Sequence, residues 1–391
     1  MKTSLPEVQL FLRPGIIELG WGHPDFALLP VGGLSRAAQM ALERDGPLAL
    51  SYGAEQGPGR LIEQVCARLG RLEGAAPPPE QVMITGGTSQ ALDMLCALLT
   101  QPGDAALVAS PTYHLALRIL RDHGLELVPV PGDDEGLRVD ALEEALAVLR
   151  RQGRRARLLY LVPTFDNPTG LTLGAKRHRA LVELAQREGL LVLEDDVYRE
   201  LWYDSPPPPP LYSLTPGGPV VRLGSFSKVL APGLRLGWMS AAPEIVRRCT
   251  GCGMLDSGGG LNHFTAHVVA AFIQLGLLDQ QIDVLRASYR QRRDVLLDAL
   301  ASHLPEGCDW VCPRGGFFVW VRLPPGVDSG ALLLTAESRG VSYVPGARFY
   351  AGEGGERYCR LAFTLVSLDE LGEGPRRLGA ALRDYQRWNR T

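Results

Sequence analysis

The sequence predicts an α/β fold, a mostly parallel sheet with helices on both faces, joined to a smaller α+β domain. Three observations carry this reading. The chain has 391 residues, more than one ordinary core accommodates, and suits two domains that share an interface. Between about residues 80 and 240, short apolar runs alternate with helical periodicity, the pattern of parallel strands covered on both sides. Beyond about residue 280 the alternation stops, and a long arginine-rich helix pattern leads into two strands. The chain accordingly divides into an N-terminal arm, 1–45, that joins the small domain, a large domain, 46–280, and a small C-terminal domain, 281–391.

The expected strands of the large domain are Gln81–Thr85, Ala105–Ala109, Leu125–Val130, Arg157–Val162, Leu190–Glu194 and Val220–Leu223. The helices between them are Ser89–Leu99, Tyr113–His123, Asp140–Arg151 and Gly174–Glu188, each with apolar residues three and four apart. In open sheets of this kind, ligands bind beyond the carboxyl ends of the strands. Asn167, Asp195 and Ser225 each follow a predicted strand within a few residues. The small domain reads as a helix at Gln281–Leu304 and strands at Phe317–Leu323 and Tyr358–Thr364. The proline run Pro206–Pro210 predicts a stiff surface loop.

Composition excludes several functions. Charged residues make up 21% of the chain and the net charge is −3, which gives no reason to expect a nucleic-acid or membrane partner. Met1–Gln9 lacks the apolar core of a signal peptide, and no apolar run is long enough to span a bilayer. A cytoplasmic location follows as the expectation. Seven cysteines, an odd and scattered set, suit a reducing compartment. Cys249 and Cys252 form a C-x-x-C, but Cys308 and Cys312 are spaced one residue too far apart for a second half, so no metal site is expected. Of 40 basic residues only Lys2, Lys176 and Lys228 are lysines. Arginine stays charged, whereas a lysine can shed its proton and act as an amine nucleophile, so a retained lysine is a candidate for chemistry.

Four motifs carry that chemistry. Gly86–Gln90, G-G-T-S-Q, follows a strand and opens a helix, where unpaired N–H groups and the helix dipole suit a phosphate. Ser89 as a plain N-cap accounts for that motif equally well. Pro163–Gly170, P-T-F-D-N-P-T-G, is a turn that offers the side-chain amide of Asn167. Glu194–Tyr198, E-D-D-V-Y, puts three carboxylates at a buried strand's end, where each needs a partner: an organic cation or, in principle, magnesium. Ser225–Trp238, S-F-S-K-V-L-A-P-G-L-R-L-G-W, sets Lys228 among Ser225, Ser227 and Arg235, natural ligands of a phosphate beside a candidate Schiff-base amine.

With these motifs in this order, the chain resembles the fold-type I, class I/II aminotransferases that depend on pyridoxal 5′-phosphate. Within them it is most similar to the branch that holds 2-aminoadipate aminotransferases and the aminotransferase-like domains of MocR regulators. The resemblance runs from S-Y-G-A-E-Q-G at Ser51–Gly57 to Y-C-R-L-A-F at Tyr358–Phe363. It implies that Lys228 carries the cofactor as a Schiff base and moves a proton at the substrate Cα. It implies that Asp195 pairs with the pyridine nitrogen, that Tyr198 and Asn167 bond the ring oxygen, and that Tyr113 stacks on the ring. Gly87, Thr88, Ser89, Ser225, Ser227 and Arg235 would hold the phosphate, with Tyr52 reaching in from a second subunit of a homodimer with shared active sites. Arg360 would clamp the substrate α-carboxylate, beside Asn167 and Gly20. The partners so implied are an amino acid and a 2-oxo acid.

Two departures stand out. Asp166 falls where many relatives carry a neutral residue, and Asp256–Phe264 lacks the second arginine of dicarboxylate-specific relatives. Elimination or decarboxylation would use the same lysine and electron sink. A MocR-type sensing domain is the reading from another class. It is disfavoured because the resemblance begins near the start of the chain and leaves no DNA-binding region ahead of it.

Overall fold

A computed structural model describes residues 6–388. The large domain is built on eight strands: β1 (Val82–Thr85), β2 (Ala105–Ser110), β3 (Glu126–Asp133), β4 (Gly136–Leu137), β5 (Ala156–Leu161), β6 (Leu191–Asp195), β7 (Val220–Ser225) and β8 (Gly237–Ser240). Their order across the sheet is β1-β8-β7-β6-β5-β2-β3-β4, and β7, β6, β5, β2 and β3 pair in parallel. Only β8 and the two-residue β4 run against their neighbours.

Alternation along each strand divides the interior into two cores. Leu158, Tyr160, Leu193, Val221 and Leu223 belong to one, while Leu159, Leu161, Val192 and Val220 belong to the other. The helices of this domain include α1 (Val31–Asp45), α2 (Thr88–Leu99), α3 (His114–Asp122), α4 (Val139–Arg151), α5 (Ala175–Glu188) and α6 (His263–Gln274), of which α1 packs on α6 rather than on the sheet. Each predicted strand and helix is present, with ends that differ by a residue or a few. The sequence gives no sign of β8, which begins in the last two residues of the lysine motif and runs to Ser240. Four residues beginning with glycine carry too little periodicity to stand out, and β8 is a strand because it completes pairing between β1 and β7.

The small domain has α7 (Leu277–His303) as its long helix, which starts four residues earlier than predicted. Its sheet has four antiparallel strands, β9 (Asp309–Trp310), β10 (Phe318–Arg322), β11 (Val344–Pro345) and β12 (Tyr358–Ala362), in the order β9-β10-β12-β11. Helices α8 (Ser329–Ser338) and α9 (Leu368–Trp388) pack together, and α9 also lies along α7. The N-terminal segment adds Ile17–Glu18 beside Val341–Ser342 of this domain, while α1 packs on α6 of the large domain. The proline run is anchored: Pro208 O accepts from Arg199 Nη1 at 2.6 Å, and Pro209 O meets His178 Nδ1 at 2.9 Å. Among the described residues, no single helix is long and apolar enough to cross a membrane.

Candidate active site

The carboxyl end of β6 sorts its three carboxylates by face. Glu194 turns into the second core, where it accepts the backbone N–H of Leu211 at 2.8 Å and of Tyr212 at 2.9 Å. Asp196 accepts from Arg199 and from Arg222 Nε, the latter at 2.9 Å, in a buried ion-pair cluster. Asp195 faces the first core, where Tyr160 donates its hydroxyl to Oδ2 at 2.6 Å and Oδ1 is buried without a partner. Burial pushes the Asp195 carboxyl up to about 6; the Tyr160 bond opposes the rise, the Asp196 charge adds to it and Lys228 opposes it.

Lys228 sits on the bend after β7, and its ammonium donates to Gly22 O at 3.3 Å. The rings of Phe317 and Tyr198 lie 5.2 and 5.8 Å away. Burial brings the amine down to about 8, helped by the positive charges of Arg360 and Arg235 and opposed by Asp195. An amine so placed is neutral for part of the time at physiological pH, as an ordinary surface lysine is not. Lys176, by contrast, is exposed on α5, and Lys2 lies outside the described residues.

Arg360, on β12, is buried beneath Asn167. Its Nη1 donates to Asn167 Oδ1 at 2.8 Å and its Nη2 to Gly20 O at 2.7 Å, while Nε is buried without a partner. Phe318 and Phe349 present their rings to the guanidinium at 4.2 and 5.0 Å. Burial lowers Arg360 to about 10. Since Asn167 spends its oxygen on Arg360, its Nδ2 remains the donor toward the site. Asp166 turns away from this contact: Oδ2 accepts Thr169 Oγ1 at 2.6 Å and Thr169 N at 3.2 Å, which fixes the turn.

The glycine turn and the serines meet because β8 is antiparallel. Its first residue, Gly237, pairs with Thr85 on one side and Ser225 on the other, so the Gly86–Gly87 turn comes beside the end of β7. A Cβ on Gly237 would stand 2.6 Å from Gly224 O and 3.0 Å from Gly87 Cα. Arg235, in the left-handed region at φ 49°, curls back, with Nη1 3.4 Å from Ser227 Oγ and Nη2 3.5 Å from Gly86 O. Helix α2 starts at Thr88 with Gly87, φ 91°, as its cap and no side-chain cap bond. Ser89 is therefore inside the helix, which overturns its reading as N-cap. The start of α2, with Thr88 and Ser89, and the end of β7, with Ser225 and Ser227, thus form one cradle beside the Arg235 guanidinium.

Tyr113 caps α3, and burial raises its phenol to about 12, with the nearby Asp195 charge adding to the effect. Tyr52 stands apart from the other residues, 86% exposed. The backbone after it is held by the glycine run: Gly260 N donates to Ala54 O at 2.9 Å, and a Cβ on Gly259 would collide with Gly53 O at 1.9 Å. Asn262, also left-handed at φ 54°, donates to Arg235 O. The stretch without the second arginine thus supports Tyr52 and Arg235.

The family model for aminotransferases of class I and II matches residues 14–376. The chain belongs to that family. Among its relatives, this aminotransferase is 35% identical to aromatic-amino-acid aminotransferase 1 of Thermococcus litoralis, over 94% of this chain and 88% of that protein. The kynurenine aminotransferase of Pyrococcus horikoshii, crystallised with PMP, is 37% identical, with a TM-score of 0.90 over 95% of this chain and 91% of that one. The α-aminoadipate aminotransferase of Thermus thermophilus, crystallised with N-(5′-phosphopyridoxyl)-L-leucine, is 34% identical, with a TM-score of 0.86 over 96% and 94%.

Pyridoxal phosphate is the cofactor of this aminotransferase, and the donor set fits it. The unpartnered Oδ1 of Asp195 suits a ring cation, and Gly87 leaves open the space where a Cβ would sit 3.0 Å from Arg235 Nη2. Tyr160 gives no signal in the sequence, because in an apolar strand it reads as core, whereas Gly20, expected beside Arg360, does meet its guanidinium through the carbonyl oxygen.

Proposed function

We propose that this aminotransferase moves an amino group between an amino acid and a 2-oxo acid, with Lys228 as the amine that carries pyridoxal phosphate. The observation that carries the reading is the buried, neutral-leaning Lys228 within electrostatic reach of Asp195 and Arg360. When bound, the cofactor supplies an electron sink for the pair released at the substrate Cα. Asp195 holds the ring nitrogen in its protonated form through Oδ1. Arg360, oriented by Asn167 Oδ1 and Gly20 O, grips the substrate α-carboxylate. Lys228, once the substrate amine has taken its place on the cofactor, would be the free amine that carries the proton released at Cα. Tyr198 and Asn167 Nδ2 hydrogen-bond the ring oxygen, and Tyr113 covers the ring face. Gly87, Thr88, Ser89, Ser225, Ser227 and Arg235 bind the phosphate. The free state of all seven cysteines supports a cytoplasmic setting.

The test is a half-reaction. The purified protein loaded with cofactor is mixed with single amino acids, starting with the aromatic ones, kynurenine and 2-aminoadipate, on which the relatives act. The expected result is full conversion of the cofactor's absorbance to the amine form, reversed by a 2-oxo acid. Release of ammonia or carbon dioxide with the starting spectrum regained would instead assign elimination or decarboxylation.

A homodimer with shared sites is the second part of the proposal. Tyr52 is exposed on a segment with Leu48 and Leu50, which are 72% and 69% exposed, and such a patch needs cover. Tyr52→Phe and Lys228→Ala variants, mixed under conditions that exchange subunits, are expected to give activity above either parent. One site of each hybrid then carries both defects and the other neither. No gain despite proven exchange would place Tyr52 outside a shared site.

A further inference from the structure

We infer that Tyr160 is a positioning residue for the cofactor's ring nitrogen, acting through Asp195; this rests on the reading of Asp195 given above. The sheet sets up the contact. Tyr160 on β5 lies opposite Leu193 on β6, and Asp195 is two residues further along, so both side chains project from the same face. The phenol is fully buried, and its hydroxyl donates to Asp195 Oδ2 at 2.6 Å. With Oδ2 held, the carboxylate cannot turn freely, and Oδ1, buried and without a partner, is the oxygen left for a ring cation.

The bond also selects where the shared proton resides. For one proton between Asp195 and a pyridine, the pair is either carboxylate with pyridinium or carboxylic acid with neutral pyridine. A donated hydrogen bond is stronger to the charged oxygen than to the neutral acid. Tyr160 therefore favours the pyridinium form, which draws electrons from Cα more strongly. Phenylalanine at this position would keep the packing and lose that bias. A merely structural tyrosine, satisfying its hydroxyl on the nearest acceptor, would leave the proton where it was.

The experiment uses the holoenzyme loaded with pyridoxal phosphate labelled with nitrogen-15 in the ring. Its resonance is recorded in the parent, Tyr160→Phe, Asp195→Asn and the double variant. The parent is expected at the pyridinium position, with Tyr160→Phe moved toward neutral pyridine and kcat lower by roughly tenfold, KM almost unchanged. In the Asp195→Asn background, Tyr160→Phe is expected to add little. 3-Fluorotyrosine at position 160, a stronger donor of nearly the same shape, should keep the pyridinium signal and covers the case of a poorly folded phenylalanine variant. A resonance unmoved by Tyr160→Phe, or an equal loss in both backgrounds, overturns the inference. A parent that takes up no labelled cofactor overturns the reading of the site itself, and this inference with it.

Discussion

Replacing Lys228 by alanine is expected to reduce turnover by at least about 10⁴-fold, since it removes both the covalent anchor and the proton carrier. The visible absorbance of the lysine-linked cofactor should disappear, and borohydride should no longer fix the cofactor to the chain. In the parent, reduction followed by peptide mapping should place the adduct on Lys228. The physical basis is burial: Lys228 is held down to about 8, while the exposed Lys176 sits on α5 in contact with solvent. An adduct on Lys176 would refute the assignment. Alanine removes a buried amine and one charge that favours ionised Asp195, but the bond from Tyr160 remains and the carboxyl can hold a proton, so the fold should tolerate it.

Asp195→Asn is expected to cut turnover by roughly 10²- to 10³-fold with the cofactor still held by its phosphate, because one partner of a buried charge pair is lost. The pH dependence gives a second readout. In the free protein the Asp195 carboxyl is raised to about 6, so the folded state holds its proton more tightly than the unfolded chain does. That contribution to stability is full below about pH 4 and is lost as the pH rises through about 6. A ring cation restores the charged form, so the rise in Tm given by added cofactor should grow between about pH 5 and 7. The growth should shrink in the asparagine variant. Asp196→Asn, one residue along, is expected to do the reverse. It takes the carboxylate from Arg199, leaves Arg222 with Glu73 alone, and costs about 3–5 kcal/mol of stability. Thermal melts and kinetics on the two variants separate the roles, and matching profiles would sink the distinction.

That separation between neighbours was legible in the sequence, because alternation at a strand end sends side chains 195 and 196 to opposite faces. The parallel core was legible for the same reason: its strands are apolar on both faces and spaced by periodic helices. Lys228 showed itself through the rarity of lysine and the hydroxyls around it. Less could be read where contact depends on tertiary register. Tyr160 looks like any aromatic in a buried strand until β5 and β6 are aligned. The run Asp256–Phe264 gave no local sign that its glycines make room for the carbonyls after Tyr52. Ser89 offered the right chemistry for a cap, but Gly87 at φ 91° takes the cap position and the helix already starts at Thr88.

The grip of Arg360 on Asn167 and Gly20 spans 193 and 340 positions along the chain. A ribosome delivers Asp195, Lys228 and the glycine turn well before it delivers Arg360. Domains tend to fold as they emerge, so the pocket for the cofactor is expected to gather while the carboxylate clamp is still unmade. A nascent chain would then capture its cofactor before it can hold an amino acid, and the captured molecule would steady the half-built enzyme by mass action. Chains stalled before Arg360 should bind the cofactor and yet be blind to substrate.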